Sequence, residues 1–114
     1  MDESSRAWHG EIMSDRCILS PADTEGPLAE TAFTHGPGAL RAEYTTPDFA
    51  SAVRLLDAVA VVADAQEHHP DVELGWGRVV FTLSSHDVGG VTGRDVELAQ
   101  RIHELALEQR GDDL

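Results

Sequence analysis

The chain has no lysine. Its eight basic residues are all arginine and face 21 aspartates and glutamates, a formal net charge of −13 over 114 residues. Without lysine there is no Schiff-base nucleophile and no phosphate-loop lysine. So acidic a balance argues against a nucleic-acid or anionic-membrane surface, because both are bound through clustered Lys and Arg. Cysteine is as scarce: Cys17 alone can form neither an internal disulfide nor a thiolate metal site, which fits a reducing compartment. The longest wholly apolar run, Ala58 to Ala63, is far below the ~20 residues of a membrane span. Residues 1–6 are acidic where a secretory signal is basic and then apolar. What is present, 41% hydrophobic and 25% charged residues at single-domain length, describes a small acidic cytoplasmic domain.

Residues 1–18 show no sustained period and read as a loose arm, with Trp8, Ile12 and Met13 as residues able to dock. The folded domain is expected over 19–110, followed by a short tail, 111–114. Ser20-Pro21-Ala22-Asp23 has the form of a helix start, with Gly26-Pro27 stopping that helix almost at once. Two short strands broken at Gly36-Pro37-Gly38 follow, and on the second Leu40, Ala42 and Tyr44 alternate with Arg41 and Glu43. Thr46-Pro47 opens what reads as the longest helix, capped by Thr46. Its apolar stripe is Phe49, Ala52, Val53, Leu56, Ala60 and Ala63, widened by Leu55, Val59 and Val62. Pro70 ends it.

Period-two patterning from Leu74 to Ser84 reads as one strand crossing the sheet once, with Val79, Phe81 and Leu83 on one face. Gly89-Gly90 reads as a flexible link. Thr92 and Asp95 have capping-box spacing, with Val91 and Val96 as the staple, and the final helix carries Leu98, Ile102 and Leu105 to a stop at Gly111. This order predicts an α+β fold: an antiparallel sheet of about four strands with helices packed on one face, in two layers.

Three of the six histidines fall in one stretch: His68 and His69 at the end of the long helix, His86 beyond the strand. Asp64 lies four residues before His68, on the same helical face. Imidazoles beside a carboxylate can both give and take a proton near neutral pH, and Arg94 and Asp95 come late enough to close the same pocket. Each residue also has a plainer role. Histidine is favoured at helix ends by the dipole, Asp64 and His68 can be an ordinary i,i+4 pair, Asp95 is accounted for by capping, and Trp76 by packing. Three histidines could also hold zinc, provided the backbone turns between the adjacent two.

The run Asp64, His68-His69-Pro70, Trp76, His86-Asp87, Gly89-Gly90-Val91-Thr92, Arg94-Asp95 resembles the pterin-4a-carbinolamine dehydratase family, also called 4a-hydroxytetrahydrobiopterin dehydratases. The resemblance extends from about Phe33 to Leu107 and includes Pro47-Asp48-Phe49 at the entry to the long helix. It departs where Asp71 is followed by Val72 instead of an aromatic, where Phe33 stands in the place of a tryptophan, and where Gly26-Pro27 interrupts the first helix.

The resemblance implies dehydration of a 4a-hydroxytetrahydropterin to the quinonoid dihydropterin, a step of tetrahydrobiopterin recycling after an aromatic amino-acid hydroxylase. It implies His68 and His86 as the acid/base pair and His69 as a binding or second proton-transferring residue. Asp64 would orient His68, Arg94 and Asp95 would line the pocket, and Trp76 would pack on the ring. It implies no metal, nucleotide or other cofactor, and assembly as a homodimer or homotetramer. The contrasting implication is a non-catalytic binding or assembly module, since relatives serve as a dimerisation partner of a transcription factor or as assembly factors.

Overall fold

The computed structural model describes residues 17–113 of the chain; Trp8, Ile12 and Met13 lie outside the described residues. Three helices and a four-stranded sheet are found among them, in the order α1 (Pro21–Leu28), β1 (Thr34–Gly36), β2 (Ala39–Thr45), α2 (Phe49–Gln66), β3 (Asp71–Gly75), β4 (Arg78–Leu83) and α3 (Gly93–Asp113). The sheet is antiparallel throughout, with strand order β1-β2-β4-β3. The α+β architecture expected from the sequence is the one observed.

Alternation on the central strands builds the core. Leu40 and Ala42 of β2 and Val79, Phe81 and Leu83 of β4 are buried, while Arg41 and Glu43 face outward. Val80, on the outer face, is buried as well, in register with Glu43 and Glu73, whose carboxylates both pair with Arg78. On the inner face Leu55 and Val59 of α2 and Val96, Leu98, Ala99 and Ile102 of α3 close the core. Two side chains tie helices together: Gln100 Nε2 donates to the Pro27 carbonyl at 2.9 Å and Gln109 Nε2 to the Ser51 carbonyl at 2.7 Å.

Several local expectations need correction. Leu74 to Ser84 is not one strand but a hairpin, β3–β4, reversing at Trp76-Gly77. Gly77 takes φ +69°, and a Cβ there would stand 3.0 Å from the Thr46 carbonyl oxygen. The period-two pattern ran unbroken through the turn, so hydrophobicity alone concealed it.

Gly26-Pro27 does not stop α1, which runs to Leu28. Pro27 lies in the last turn of an eight-residue helix, so its missing N–H removes little of the ladder. The cap of α2 is Asp48, whose carboxylate accepts the Ser51 N–H at 2.8 Å; Thr46 instead donates its hydroxyl to the Asp48 carbonyl. The longest helix is α3, with 21 residues against 18 in α2, and it continues past Gly111 to Asp113.

The buried stripe of α2 is Ala52, Leu55, Val59 and Ala63, not the stripe through Phe49, Val53 and Ala60, which is exposed. A helix apolar on most sides carries two adjacent stripes, and periodicity does not choose between them. Gly89-Gly90 is no loose link either. Ser85 and Gly90 form a bridge, Ser85 N–H donates to Gly90 O at 2.8 Å, and Gly89 supplies φ +73° to the turn.

Candidate active site

The fate of the two adjacent histidines is decided at the end of α2. Glu67 takes the left-handed conformation, φ 55° and ψ 39°; its N–H donates to the Asp64 carbonyl and that of His68 to the Ala63 carbonyl. This paired closure satisfies two carbonyls of the last helical turn and reverses the chain direction. His68 is thereby turned inward, its side chain 11% exposed, and His69 outward, 61% exposed.

Asp64 therefore does not hold His68, as its four-residue spacing suggested. Its carboxylate meets His69 Nε2 at 2.9 Å, on the surface. His68 Nε2 lies 2.5 Å from Oδ1 of Asp95, whose side chain is fully buried. The helix ends at Gln66, two residues before His68, so helical spacing no longer applies to that pair.

Asp95 sits at the junction of three elements. Its Oδ2 accepts the Thr92 N–H at 2.9 Å, which is the capping interaction at the start of α3, and the Ser85 hydroxyl at 2.8 Å. The Ser85 and Thr92 hydroxyls are themselves 2.8 Å apart, and both residues are buried. Four polar groups in the core thus satisfy one another, the condition under which a carboxylate tolerates burial. A carboxylate has only lone pairs to offer, so Nε2 carries the proton of the 2.5 Å contact. Sheet register explains why these residues meet. Asp71, just after Pro70, pairs with Thr82, so the start of β3 and the end of β4 lie at the same end of the sheet.

His86 is the residue after Ser85, exposed in the 85–90 turn. In that turn Asp87 Oδ1 accepts from Arg94 Nη2 at 2.8 Å. Arg94 Nε is buried and has no hydrogen-bond partner among the described residues. His68, His86, Arg94 and Asp95 thus flank the Ser85–Thr92 node. Trp76 is placed elsewhere, 74% exposed in the hairpin turn, at the opposite end of β4 and on the order of 20 Å away at the usual rise per strand residue.

Ser85 is the residue that the reading of the sequence missed. A signal for it existed: extending the alternation of Val79, Phe81 and Leu83 places residue 85 on the core face, where a hydroxyl must find a partner. Elsewhere a hydroxyl–imidazole pair joins Tyr44 to His103 Nδ1 at 2.9 Å, beside a cavity of about 230 Å³ between β2, α2 and α3. Tyr44 packs edge-on against Phe33 and Phe81, and burial pushes its phenol above the usual range. Among the described residues no carboxylate is paired with that imidazole, so the pair reads as packing with a satisfied hydroxyl. Among the described residues no group of three or more His, Cys, Asp and Glu is arranged to hold a metal ion, and no helix is long and apolar enough to cross a membrane.

The chain is similar to known proteins of one family. The family described as Pterin 4 alpha carbinolamine dehydratase matches residues 20–105. A protein of Roseiflexus castenholzii, provisionally named a pterin-4-alpha-carbinolamine dehydratase, is 38% identical over 89 residues, covering 77% of this chain and 96% of its own. One of Nocardia farcinica with the same provisional name is 52% identical over 58 residues, covering 51% of this chain and 61% of its own. A solved structure from Brucella melitensis, described as a transcriptional coactivator/pterin dehydratase, superposes with a TM-score of 0.73 at 25% identity, covering 79% of this chain and 99% of that one. A pterin dehydratase-like protein described as a RuBisCO assembly factor of the alpha-carboxysome shares the fold, with a TM-score of 0.54 at 23% identity over 67% of this chain and 88% of that one.

Proposed function

The chain belongs to the pterin-4a-carbinolamine dehydratase family, and from that premise we propose that it dehydrates a 4a-hydroxytetrahydropterin to the quinonoid dihydropterin by histidine acid/base catalysis. In this reaction the bond from carbon 4a to its hydroxyl oxygen breaks and the oxygen leaves as water after gaining a proton. Nitrogen 5 loses a proton, and its electron pair forms the double bond to carbon 4a. No electron is transferred to or from the substrate. The site must supply one acid and one base, and imidazoles near their ordinary titration range can serve as either.

The single observation that carries this reading is the 2.5 Å contact between His68 Nε2 and the buried Asp95 carboxylate. A carboxylate holding one ring nitrogen fixes the tautomer and orientation of the other, which is how acid/base histidines are prepared in unrelated enzymes. We assign His68, through Nδ1, and His86 to the two proton transfers, and His69 with Asp64 to the rim of the site. Arg94, with its unpartnered buried Nε–H, is assigned to binding the pterin ring's acceptor atoms. The weakly charged substrate accords with a chain of net charge −13. The apolar side chains exposed along α2, Phe49, Val53 and Val61, support the homodimer or homotetramer that the family resemblance implies.

The test is dehydration of freshly generated 4a-hydroxytetrahydropterin, with His68→Ala and His86→Ala as controls. Wild type should outpace the uncatalysed reaction and keep its rate after chelator treatment, while each variant loses about 10²-fold. A wild type no faster than the uncatalysed reaction sinks the enzyme reading. It would leave the second reading, a binding or assembly module, which the descriptions of the two structural neighbours support.

A further inference from the structure

Proton directions around Asp95 can be read without ambiguity. Asp95 Oδ2 can only accept, so the one proton of the Ser85 hydroxyl goes to it across 2.8 Å. The Ser85 oxygen is also 2.8 Å from Thr92 Oγ1, and having spent its proton it must accept there. Thr92 Oγ1 in turn accepts the Arg94 N–H at 3.2 Å. The result is a directed chain: Arg94 N–H to Thr92 hydroxyl, Thr92 hydroxyl to Ser85 hydroxyl, Ser85 hydroxyl to Asp95 Oδ2. Every link points toward the carboxylate, leaving Oδ1 as the oxygen that faces His68.

The hydroxyl of Ser85 is also well anchored. Ser85 is fully buried, bridged to Gly90 through its own N–H, and its carbonyl accepts from Val88 and Gly89. Without that hydroxyl Oδ2 would be held by the backbone N–H of Thr92 alone, and a carboxylate with a single donor on each oxygen turns more easily about its last torsion. Two donors on one oxygen remove that freedom.

We propose that Ser85 is a positioning residue for the His68–Asp95 pair: its hydroxyl locks the Asp95 carboxylate so that Oδ1 holds the Nε2 proton of His68 and only Nδ1 is left to exchange protons with a ligand. The kinetic consequence rests on the dehydratase reading; the tautomer consequence does not. Removing the hydroxyl releases the carboxylate, and the imidazole then divides between its two neutral tautomers, one of which presents the wrong nitrogen.

The experiment combines ring-nitrogen NMR of ¹⁵N-labelled full-length protein with steady-state kinetics on 4a-hydroxytetrahydropterin. Wild type, Ser85→Ala, Ser85→Thr and Thr92→Val are compared, the His68 signals being assigned by their loss in His68→Ala. In wild type His68 should show the Nε2–H form alone. Ser85→Ala should show a mixture, with kcat lowered about tenfold or more and KM within twofold, and Ser85→Thr should restore both. Thr92→Val keeps the backbone donor to Asp95 but removes the donor that orients Ser85. It should move both readouts the same way by less, and it decides the matter if Ser85→Ala does not fold. A folded Ser85→Ala with the wild-type tautomer and kcat within twofold overturns the proposal, as does a Thr92→Val indistinguishable from wild type when Ser85→Ala is unfolded. If no form of the protein has dehydratase activity, the functional reading fails, and the NMR comparison still decides the role of Ser85.

Discussion

His68 and His69 are neighbours in sequence, and each faces one aspartate, yet they occupy opposite environments. His68 pairs with a carboxylate that is fully buried and held by two further donors; His69 pairs with one that is 78% exposed. In water a histidine–carboxylate pair contributes little, since solvent screening and side-chain entropy cancel most of the attraction. In the core the same pair is fixed in one geometry, and losing one member strands the others. The dipeptide divides in this way because a single residue, Glu67, adopts a left-handed conformation and points the two rings in different directions.

The widest separation of the two pairs should come from removing their acids. Asp95→Ala leaves the Ser85 hydroxyl, the Thr92 N–H and the His68 ring without their shared acceptor, and urea unfolding should show a loss of roughly 3 kcal/mol. Asp64→Ala in the same measurement should stay within about 0.5 kcal/mol of wild type. Equal losses would erase the distinction.

A smaller effect is expected at the turn itself. Glu67→Gly should stabilise by about 0.5–1 kcal/mol, because glycine adopts the left-handed conformation without steric penalty. The melting temperature should rise by several degrees for a domain of this size. A fall would mean that the Glu67 side chain contributes more than its backbone costs.

The smallest effect lies far from both histidines. The carboxyls of Asp23 and Asp48 are held below their ordinary range, first by the backbone N–H groups of Ser20 and Ser51 that they cap, then by the hydroxyls of those serines. A carboxyl lowered in the folded state adds stability that is complete above its unfolded value of about 4 and is lost as pH falls through the lowered one. Asp48→Ala should therefore flatten the acid side of the stability–pH curve and leave its neutral region the same shape.

What was legible in the sequence divides along physical lines. Alternation on β2, the capping sequences at Ser20 and Thr92, and the staple residues Val91 and Val96 led to elements in their places, since each is a local rule with a local cause. The spacing of Asp64, His68-His69-Pro70, Trp76, His86 and Asp95 led to the family. The pairing of carboxylates with histidines was not legible, because it depends on the backbone reversal at Glu67 and on the register that brings the start of β3 beside the end of β4. The hairpin turn was hidden for a related reason: Trp76 and Gly77 continued a hydrophobic alternation whose chain had already reversed. Ser85 was missed because a hydroxyl at a strand end is unremarkable until the carboxylate it serves is known to be buried.

The proposed division of labour between the two histidines is tested most directly by one comparison: turnover of freshly generated 4a-hydroxytetrahydropterin by wild type, His68→Ala and His69→Ala at equal concentrations of folded protein. The prediction is that kcat falls about 10²-fold in His68→Ala, while His69→Ala raises KM and keeps most of kcat. The reverse pattern, or a His68→Ala variant that turns over like wild type, would contradict the assignment of the buried His68–Asp95 pair to proton transfer.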